Sequence, residues 1–366
     1  MSAVGVGVIG TGTISTQYLT NLTAFPDTEV RVLADLDVAR AGEKAAEFGV
    51  PRAATVEDLL ADGEVEIVVN LTIPAAHVDV TEAALSAGKH VWSEKPYALT
   101  RDDGARLLGQ ANAAGLRLAS APDTILGGAL QTAQRAVLDG VVGAPSSGLV
   151  MFRGPGPEPW HPSPEFYYTP GGGPLLDMGP YYLSALVQLL GPVARVTAHS
   201  SRARTVRVVG SGPKQGTQFP VEIPTQYQAL LELESGAVVP TIFSFDSGLV
   251  RTTLEVSGTD GTLVVADPNH FDQSSTLHAL VGGEVREIPA AGVTAYSRGL
   301  GVLELARAIR ADVPHRASAE LAYHVLDVMV SIDESAREGG MPLDVVSRAA
   351  APEPLPLDWD PATPTL

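Results

Sequence analysis

A glycine-rich turn near the start of the chain, Gly10-Thr11-Gly12-Thr13-Ile14-Ser15, restricts the possible folds more than any other feature of the sequence. It follows the apolar run Val4–Ile9, which is typical of a buried strand, and it opens an amphipathic segment that predicts a helix over 13–24. Gly10 permits a tight turn, and Gly12 lets the backbone approach a pyrophosphate. Ser15 departs mildly from the Gly or Ala usual at the third position, but it is small enough for helix and strand to pack closely. The strand, turn and helix together predict a dinucleotide-binding site.

A carboxylate follows the second predicted strand, residues 30–34. Asp35 lies roughly 20 residues beyond Gly12, where a carboxylate can accept hydrogen bonds from the adenosine ribose. The negative charges of Asp35 and Asp37 would repel a 2′-phosphate, so the sequence favours NAD over NADP as the cofactor. Arg40 could approach such a phosphate, but we interpret it as a solvent-exposed helix residue.

The arrangement of predicted elements changes near Pro122. Up to that point short apolar runs alternate with amphipathic segments, the pattern of a parallel sheet wrapped by helices. Beyond it, a Pro- and Gly-rich aromatic stretch at 153–174 indicates a binding loop, and strand-like pieces at 193–288 indicate an antiparallel sheet. Helices are predicted at 125–138, 181–190, 301–310 and 319–337. We therefore predict an α/β protein with an NAD-binding Rossmann domain at 1–122 and a C-terminal α+β domain at 123–366.

Composition excludes several classes of function. The chain has no cysteine, which excludes disulfides, thiolate nucleophiles and cysteine-ligated metals. Its 42 acidic and 24 basic residues leave a net charge of −18, which disfavours a nucleic-acid surface. It has no apolar run long enough to span a membrane and no cationic leader, so we expect a cytoplasmic protein without nucleic-acid or membrane partners. The histidine spacings do not match those of metal ligands, and we expect no metal.

Three further segments carry a resemblance to a known family: Asn70-Leu71-Thr72-Ile73-Pro74 with His77, Ala87-Gly88-Lys89-His90-Val91-Trp92-Ser93-Glu94-Lys95-Pro96, and Gly171-Gly172-Gly173-Pro174-Leu175-Leu176-Asp177-Met178-Gly179-Pro180-Tyr181. Together with the turn at 10–15 they resemble the Gfo/Idh/MocA family of glucose–fructose oxidoreductase and inositol dehydrogenase-like enzymes. The resemblance runs through essentially the whole chain. Its second segment is long and specific, and it ends in Glu94-Lys95-Pro96 at the carboxyl edge of the predicted sheet, where ligands bind in such folds.

The resemblance implies a Rossmann domain followed by an α+β domain with a large open, mostly antiparallel sheet. Through that sheet the chain is expected to form a homodimer or homotetramer. The resemblance also implies a cis peptide bond between Lys95 and Pro96. The implied cofactor contacts are Gly10, Gly12, Thr13, Ile14, Asp35, Thr72, Pro74, His77, Glu94 and Lys95.

The family's catalytic pattern differs here at one position. Many members have histidine four residues after the aspartate of the third segment, but this chain has Tyr181 four residues after Asp177. It is similar in this to a branch in which tyrosine transfers the proton. Because a free tyrosine has a pKa near 10, we expect the ammonium of Lys95 and the positive charge of oxidised nicotinamide to favour the phenolate. Tyr181 is then the base in oxidation and the acid in reduction, with Asp177 positioning the substrate hydroxyl or Lys95. Lys95 as the direct base is the open alternative.

The aromatic loop suggests the substrate. Trp160, Tyr167 and Tyr168 offer flat faces for the C–H face of a sugar ring, while Arg153, His161 and Asp123 can bond its hydroxyls. The expected activity is an NAD(P)-dependent hydride transfer at a secondary hydroxyl or ketone of a sugar, cyclic polyol or glycoside. The alternatives are a glycosidase that retains NAD and oxidises its substrate transiently, and a non-catalytic regulator that senses NAD or a sugar.

Overall fold

Two β-sheets organise the chain in the computed structural model, which describes residues 2–366. The first part of the chain holds β1 (Val4–Ile9), α1 (Ser15–Leu22), β2 (Thr28–Ala34), α2 (Val38–Phe48), β3 (Ala53–Ala54), α3 (Val56–Leu60), β4 (Ile67–Asn70), α4 (His77–Ser86), β5 (His90–Ser93), α5 (Arg101–Ala114), β6 (Leu118–Ser120) and α6 (Gly128–Leu138). The strands of this part form a six-stranded parallel sheet in the order β3-β2-β1-β4-β5-β6. This is the predicted Rossmann sheet.

The second sheet has nine strands and is mostly antiparallel. The remainder of the chain holds β7 (Pro145–Arg153), α7 (Gly173–Leu190), β8 (Val193–Ser201), β9 (Val206–Val208), β10 (Gln218–Pro220), β11 (Gln226–Leu233), β12 (Val238–Ser244), β13 (Arg251–Gly258), β14 (Gly261–Val265), β15 (Ser275–Ala279), β16 (Val285–Ile288), α8 (Leu300–Ala311), α9 (Ala319–Arg337) and β17 (Leu343–Asp344). The strand order is β16-β15-β14-β13-β7-β12-β11-β8-β17, and β7 with β12 is the parallel pair. Strands β9 and β10 form a separate ribbon.

The nine-stranded sheet has one covered and one open face. Along β11 the buried Tyr227, Ala229, Leu231 and Leu233 alternate with the exposed Gln228, Leu230 and Glu232. Helix α7 packs against β7, β11, β12 and β13 and so covers the buried side. Alternation with a period of two is what places one set of side chains in a core and the other in solvent. The large open sheet expected from the resemblance is confirmed.

The chain separates into two compact units. The first comprises residues 1–131, 291–323 and 352–366, and the second comprises residues 132–290 and 324–351. Residues 291–323 and 352–366 therefore belong to the same compact unit as the N-terminal residues, although they were predicted to belong to the C-terminal domain. The predicted boundary between the NAD-binding domain and the C-terminal domain at residue 122 stays a prediction.

Several predicted boundaries needed correction. Helix α7 begins at Gly173, eight residues before the predicted start at residue 181, and it contains Pro174 in its first turn and Pro180 inside. The N–H groups of a helix's first turn have no partner within the helix, so a proline there loses no hydrogen bond. Pro174 is therefore compatible with the helix, although its presence in the sequence argued against one. Helix α1 begins at Ser15 rather than at residue 13, and α6 begins at Gly128 after a short 3₁₀ turn.

Lys89, in the segment 87–96, has a structural role. Its side chain is buried, and the ammonium donates hydrogen bonds to the carbonyls of Asp62 at 2.6 Å and Val65 at 2.8 Å. The lysine thus ties the start of β5 to the loop before β4 and satisfies two carbonyls there. Across residues 2–366, no helix is long and apolar enough to cross a membrane.

Candidate active site

The turn between β1 and α1 has the geometry that a pyrophosphate requires. Gly10 has φ +99°, and its N–H donates to the carbonyl of Ala34 at 2.8 Å. Gly12 is exposed, and a Cβ built there meets no atom within 4 Å. Ser15 is buried and its hydroxyl donates to the Gly12 carbonyl at 2.7 Å, so the small residue fits as predicted. Ile14 precedes α1 without a side-chain cap, and the positive end of the helix dipole at such a terminus favours an anion. These residues fit a bound dinucleotide.

Asp35 braces this turn from the end of β2. Its Oδ2 accepts hydrogen bonds from the N–H and hydroxyl of Thr11 at 2.8 and 2.7 Å, and its Oδ1 accepts from Asp37 N–H at 3.1 Å and from Arg40 at 2.5 Å. Burial acts to raise the pKa of Asp35, but these donors outweigh it and lower the pKa from 3.8 to about 2. The carboxylate is therefore ionised at neutral pH. A ribose hydroxyl would have to replace one donor, and the half-exposed Arg40 is the replaceable one.

The loop after β4 lies at the same edge of the sheet. Thr72 donates from its N–H and hydroxyl to Asn70 Oδ1 at 3.2 and 2.7 Å, and Pro74 begins a short 3₁₀ turn. The buried ring of His77 bridges two carbonyls, Pro96 at 2.8 Å from Nδ1 and Thr72 at 2.9 Å from Nε2. His77 therefore joins the loop after β4 to the loop after β5. The ring is buried among these contacts, and the predicted contact of His77 with the cofactor stays a prediction.

Glu94 and Lys95 follow β5 on that edge. The buried Glu94 accepts from the Tyr18 hydroxyl at 2.8 Å through Oε1 and from the Lys95 N–H at 3.0 Å through Oε2. Tyr18 is itself fixed by the Trp92 indole N–H at 3.1 Å. Burial and the Glu94 carboxylate raise the pKa of Tyr18 well above its usual value, which keeps it a hydrogen-bond donor. The Lys95–Pro96 peptide bond is cis, as predicted.

Helix α7 carries the other two predicted catalytic residues. Asp177 is half-buried and Tyr181 is nearly buried, and Tyr181 lies four positions after Asp177 in the helix. Residues at this spacing lie on one face, one turn apart. Lys95 belongs to the first unit and Tyr181 to the second, and their convergence stays a prediction.

The predicted substrate loop is an aromatic cluster. The His161 ring lies 5.5 Å from that of Trp160, 5.4 Å from Phe166 and 5.5 Å from Tyr167, measured between ring centroids. Trp160 is 65% exposed and presents its ring to solvent. Arg153, at the end of β7, is half-buried and donates to the Ser247 hydroxyl at 3.0 Å. The exposed rings of Trp160 and Phe166 are accessible to a ligand.

Asp123 and Tyr168 do not suit the substrate-binding role that the sequence suggested. Asp123 is completely buried, and its carboxylate accepts from the N–H groups of Gly299 at 2.8 Å and Gly301 at 3.3 Å and lies 3.5 Å from Arg298. Tyr168 is completely buried, and its hydroxyl donates to Glu158. Both are structural residues, because their polar atoms are already bonded inside the protein and have no access to a ligand.

Sequence reasoning missed several contributors to these sites. Tyr18 supports Glu94, Phe166 completes the ring cluster of the loop, and the buried Arg207 anchors the same loop. Phe166 carried a signal, since it lies within the aromatic stretch. Tyr18 and Arg207 carried none, because their partners lie 76 and 49 residues away. Among residues 2–366, no three His, Asp or Glu side chains form a group that could hold a metal ion, and the absence of a metal stays a prediction.

Comparison with known families gives two matches. The model described as "Oxidoreductase family, NAD-binding Rossmann fold" matches residues 4–121, and the model described as "GFO/IDH/MocA C-terminal domain" matches residues 130–264. The two matches follow the two sheets along the chain.

Curated proteins and solved structures agree with these matches. The chain is 31% identical to dTDP-3,4-didehydro-2,6-dideoxy-alpha-D-glucose 3-reductase of Streptomyces violaceoruber over 78% of this chain and 86% of that one. It is 27% identical to D-xylose 1-dehydrogenase (NADP(+)) 2 of Haloferax volcanii over 91% and 97%. Its fold is similar to that of levoglucosan dehydrogenase in complex with NADH and L-sorbose, with a TM-score of 0.82 at 19% identity over 94% and 99% of the two chains.

Proposed function

The chain belongs to the GFO/IDH/MocA family of NAD-binding oxidoreductases, and from this premise we propose that it oxidises or reduces a secondary hydroxyl or ketone of a sugar, cyclic polyol or glycoside. The observation that carries the proposal is the first unit's sheet edge, where the exposed Gly12 turn, the ionised Asp35 and the Lys95 turn follow the parallel strands β1, β2 and β5. The sugar-converting relatives support the substrate class. Arg153 is the single Arg or Lys in residues 153–174, which favours a neutral sugar over a sugar phosphate.

Each catalytic side chain has a defined part in this proposal. Nicotinamide, when bound, supplies the hydride acceptor or donor. Tyr181 takes the hydroxyl proton in oxidation and returns it in reduction, while Lys95 orients the hydroxyl and favours the phenolate. Asp177 shares a helix face with Tyr181 and positions the substrate hydroxyl or Lys95. Glu94 holds the backbone of Lys95 through its N–H and so fixes the start of that side chain.

NAD is the cofactor that the charges favour. Asp35 stays ionised because its pKa is lowered to about 2, and a 2′-phosphate placed beside it would meet that negative charge. The Arg40 guanidinium already pairs with the carboxylate, and at 53% side-chain exposure it offers weak, screened compensation. NADP-dependent relatives exist, so cofactor choice needs its own measurement.

One screen tests both the activity and the cofactor. Sugars, inositols and glycosides are incubated with NAD and with NADP in separate wells, and reduced cofactor is followed by its absorbance. We expect turnover with at least one neutral sugar and a higher kcat/KM with NAD than with NADP. An Asp35→Ser variant should lower the ratio of kcat/KM with NAD to kcat/KM with NADP, since it removes the negative charge that repels the 2′-phosphate.

The outcomes separate the competing functions. Glycoside cleavage without accumulation of NADH would contradict net dehydrogenation and identify an NAD-retaining glycosidase. Tight NAD binding with no turnover across the panel would overturn the enzymatic proposal and indicate a regulator. A higher kcat/KM with NADP would overturn the cofactor assignment alone.

We further propose that the open face of the nine-stranded sheet joins two copies of the chain. Leu230 is 49% exposed at the middle of β11, and it pairs across the strands with Thr197 and Pro240. An apolar residue in the middle of an exposed sheet face gains from burial against a second copy. We expect light scattering to report a dimer or tetramer, and Leu230→Glu to reduce it to smaller species. The matched control is Leu138→Glu at the end of α6, where the leucine is 67% exposed outside the sheet. A monomeric wild-type protein would contradict this assignment.

A further inference from the structure

A buried arginine lies beneath the aromatic loop of the second unit. Arg207, on β9, has a side chain that is only 2% exposed. One terminal nitrogen donates to the Glu158 carboxylate, to the Pro155 carbonyl at 2.8 Å and to the Tyr168 hydroxyl at 3.1 Å. The other donates to the Phe245 carbonyl at 2.8 Å and to Asp246 at 2.5 Å. A single guanidinium thus joins three points of the loop to the end of β12.

Two carboxylates share this guanidinium, and hydroxyl groups complete their bonding. The Tyr168 hydroxyl donates to Glu158, and the Thr225 hydroxyl donates to Asp246 at 2.5 Å. Burial and the neighbouring Glu158 raise the pKa of the Tyr168 phenol, so the phenol stays a donor. The planar fork of arginine presents five N–H donors in a fixed geometry, whereas the three donors of a lysine ammonium all radiate from one nitrogen. Removing one partner would leave a buried charge unpaired, and such losses are large.

Arg207 with Glu158, Tyr168 and Asp246, here called the clamp, holds both ends of the segment that carries the exposed rings. Pro155 and Glu158 lie before Trp160, and Tyr168 lies directly after Tyr167. The backbone is held at the same two places, because Gly210 N–H donates to the Glu158 carbonyl at 2.8 Å and Glu222 N–H donates to the Tyr168 carbonyl at 2.9 Å. Between these anchors the rings around His161 contact one another. The loop's order therefore depends on contacts beneath it.

We propose that Arg207 is a positioning residue for substrate, which it never touches. Arg207 fixes Pro155, Glu158 and Tyr168, and so it holds Trp160 and His161 in place before the substrate arrives. The conformational entropy of ordering the loop is then lost on folding, and it does not weaken substrate binding. This rests on the proposed function of the loop as a sugar-binding element. Loosening the clamp should raise the substrate KM, while kcat and the NAD Kd stay close to the wild-type values.

Tyr168→Phe tests the proposal with the least disturbance. The ring stays in its apolar cluster with Val209, Phe219, Val221 and Phe245, and only the hydroxyl is lost, which donates to Glu158 and accepts from Arg207. We expect the KM to rise about tenfold, the effect of losing roughly one charge-assisted hydrogen bond. Amides at 155–168 should also exchange hydrogen faster. Tyr227→Phe is the matched control, because the Tyr227 hydroxyl donates to Asp333 at 2.7 Å in the same unit and neither residue bonds Arg207.

Hydrogen exchange and the KM, measured in both variants, decide the proposal. Faster exchange at 155–168 together with a higher KM in Tyr168→Phe, and neither change in Tyr227→Phe, would support the proposal. Unchanged exchange, or faster exchange with an unchanged KM, would overturn it. Arg207→Lys provides a second variant with the charge kept, and it should show the same pattern more strongly. Failure of the proposed function is distinguishable, since it shows as absence of turnover in the wild-type enzyme.

Discussion

Replacing Tyr181 by phenylalanine is expected to lower kcat by about 10²–10⁴-fold, the usual contribution of a general acid or base. The substitution keeps the nearly buried ring on α7 and removes only the hydroxyl that is proposed to transfer the proton. The NAD Kd should not change, because the dinucleotide turn belongs to the first unit. Steady-state kinetics on the sugar found in the screen, with NAD titrated by fluorescence, measure both quantities.

The neighbouring tyrosine supplies the control. Tyr182 is completely buried on the same helix, and its hydroxyl donates to Asp267 at 3.3 Å. Tyr182→Phe should therefore keep kcat close to the wild-type value. If Tyr181→Phe also turned over normally, the assignment of the proton to this phenol would be wrong. Lys95→Met then decides the open alternative: a direct base at Lys95 predicts that the pH dependence of kcat survives in Tyr181→Phe and vanishes in Lys95→Met.

Alanine at the two glycines of the first turn should give two different defects. At Gly10 the φ of +99° strains any L-residue by about 1–3 kcal/mol, and a Cβ would lie 2.7 Å from the Leu71 carbonyl oxygen. Gly10→Ala should therefore lower the Tm and abolish measurable NAD binding. At Gly12 a Cβ meets open space in the protein, so Gly12→Ala should fold normally. Its methyl group would occupy the space where the pyrophosphate approaches, and the NAD Kd should rise on the order of tenfold or more.

Thermal unfolding and NAD titration separate these defects. Gly109→Ala on the exposed side of α5 is the control; it should stabilise the chain by about 0.5–1 kcal/mol and leave NAD binding alone. Wild-type NAD affinity in Gly12→Ala would show that the backbone of this turn does not approach the cofactor. A normal Tm in Gly10→Ala would contradict the strain argument.

Much of the fold and part of the site could be predicted because their determinants are local. The strand, the glycines and the small residue at Ser15 are consecutive, and each has a physical role that depends only on its neighbours. The Lys95–Pro96 turn is likewise contained in one continuous segment, and its cis bond was predicted correctly. The start of α7 was missed because proline in a first turn and proline in a helix interior look alike in a sequence.

The sequence by itself determined the alternation of strands and helices and the glycine turn of the Rossmann domain, and the proposal that Lys95, Asp177 and Tyr181 are catalytic comes from it. Tertiary structure alone decided which polar side chains are already bonded. It assigned Asp123 to the backbone of Gly299 and Gly301, and it gave Arg207 to a loop about 50 residues earlier in the chain. The reason is that burying a charge requires partners, and partners are chosen by proximity in space, which local sequence patterns do not reveal when the two residues are far apart along the chain.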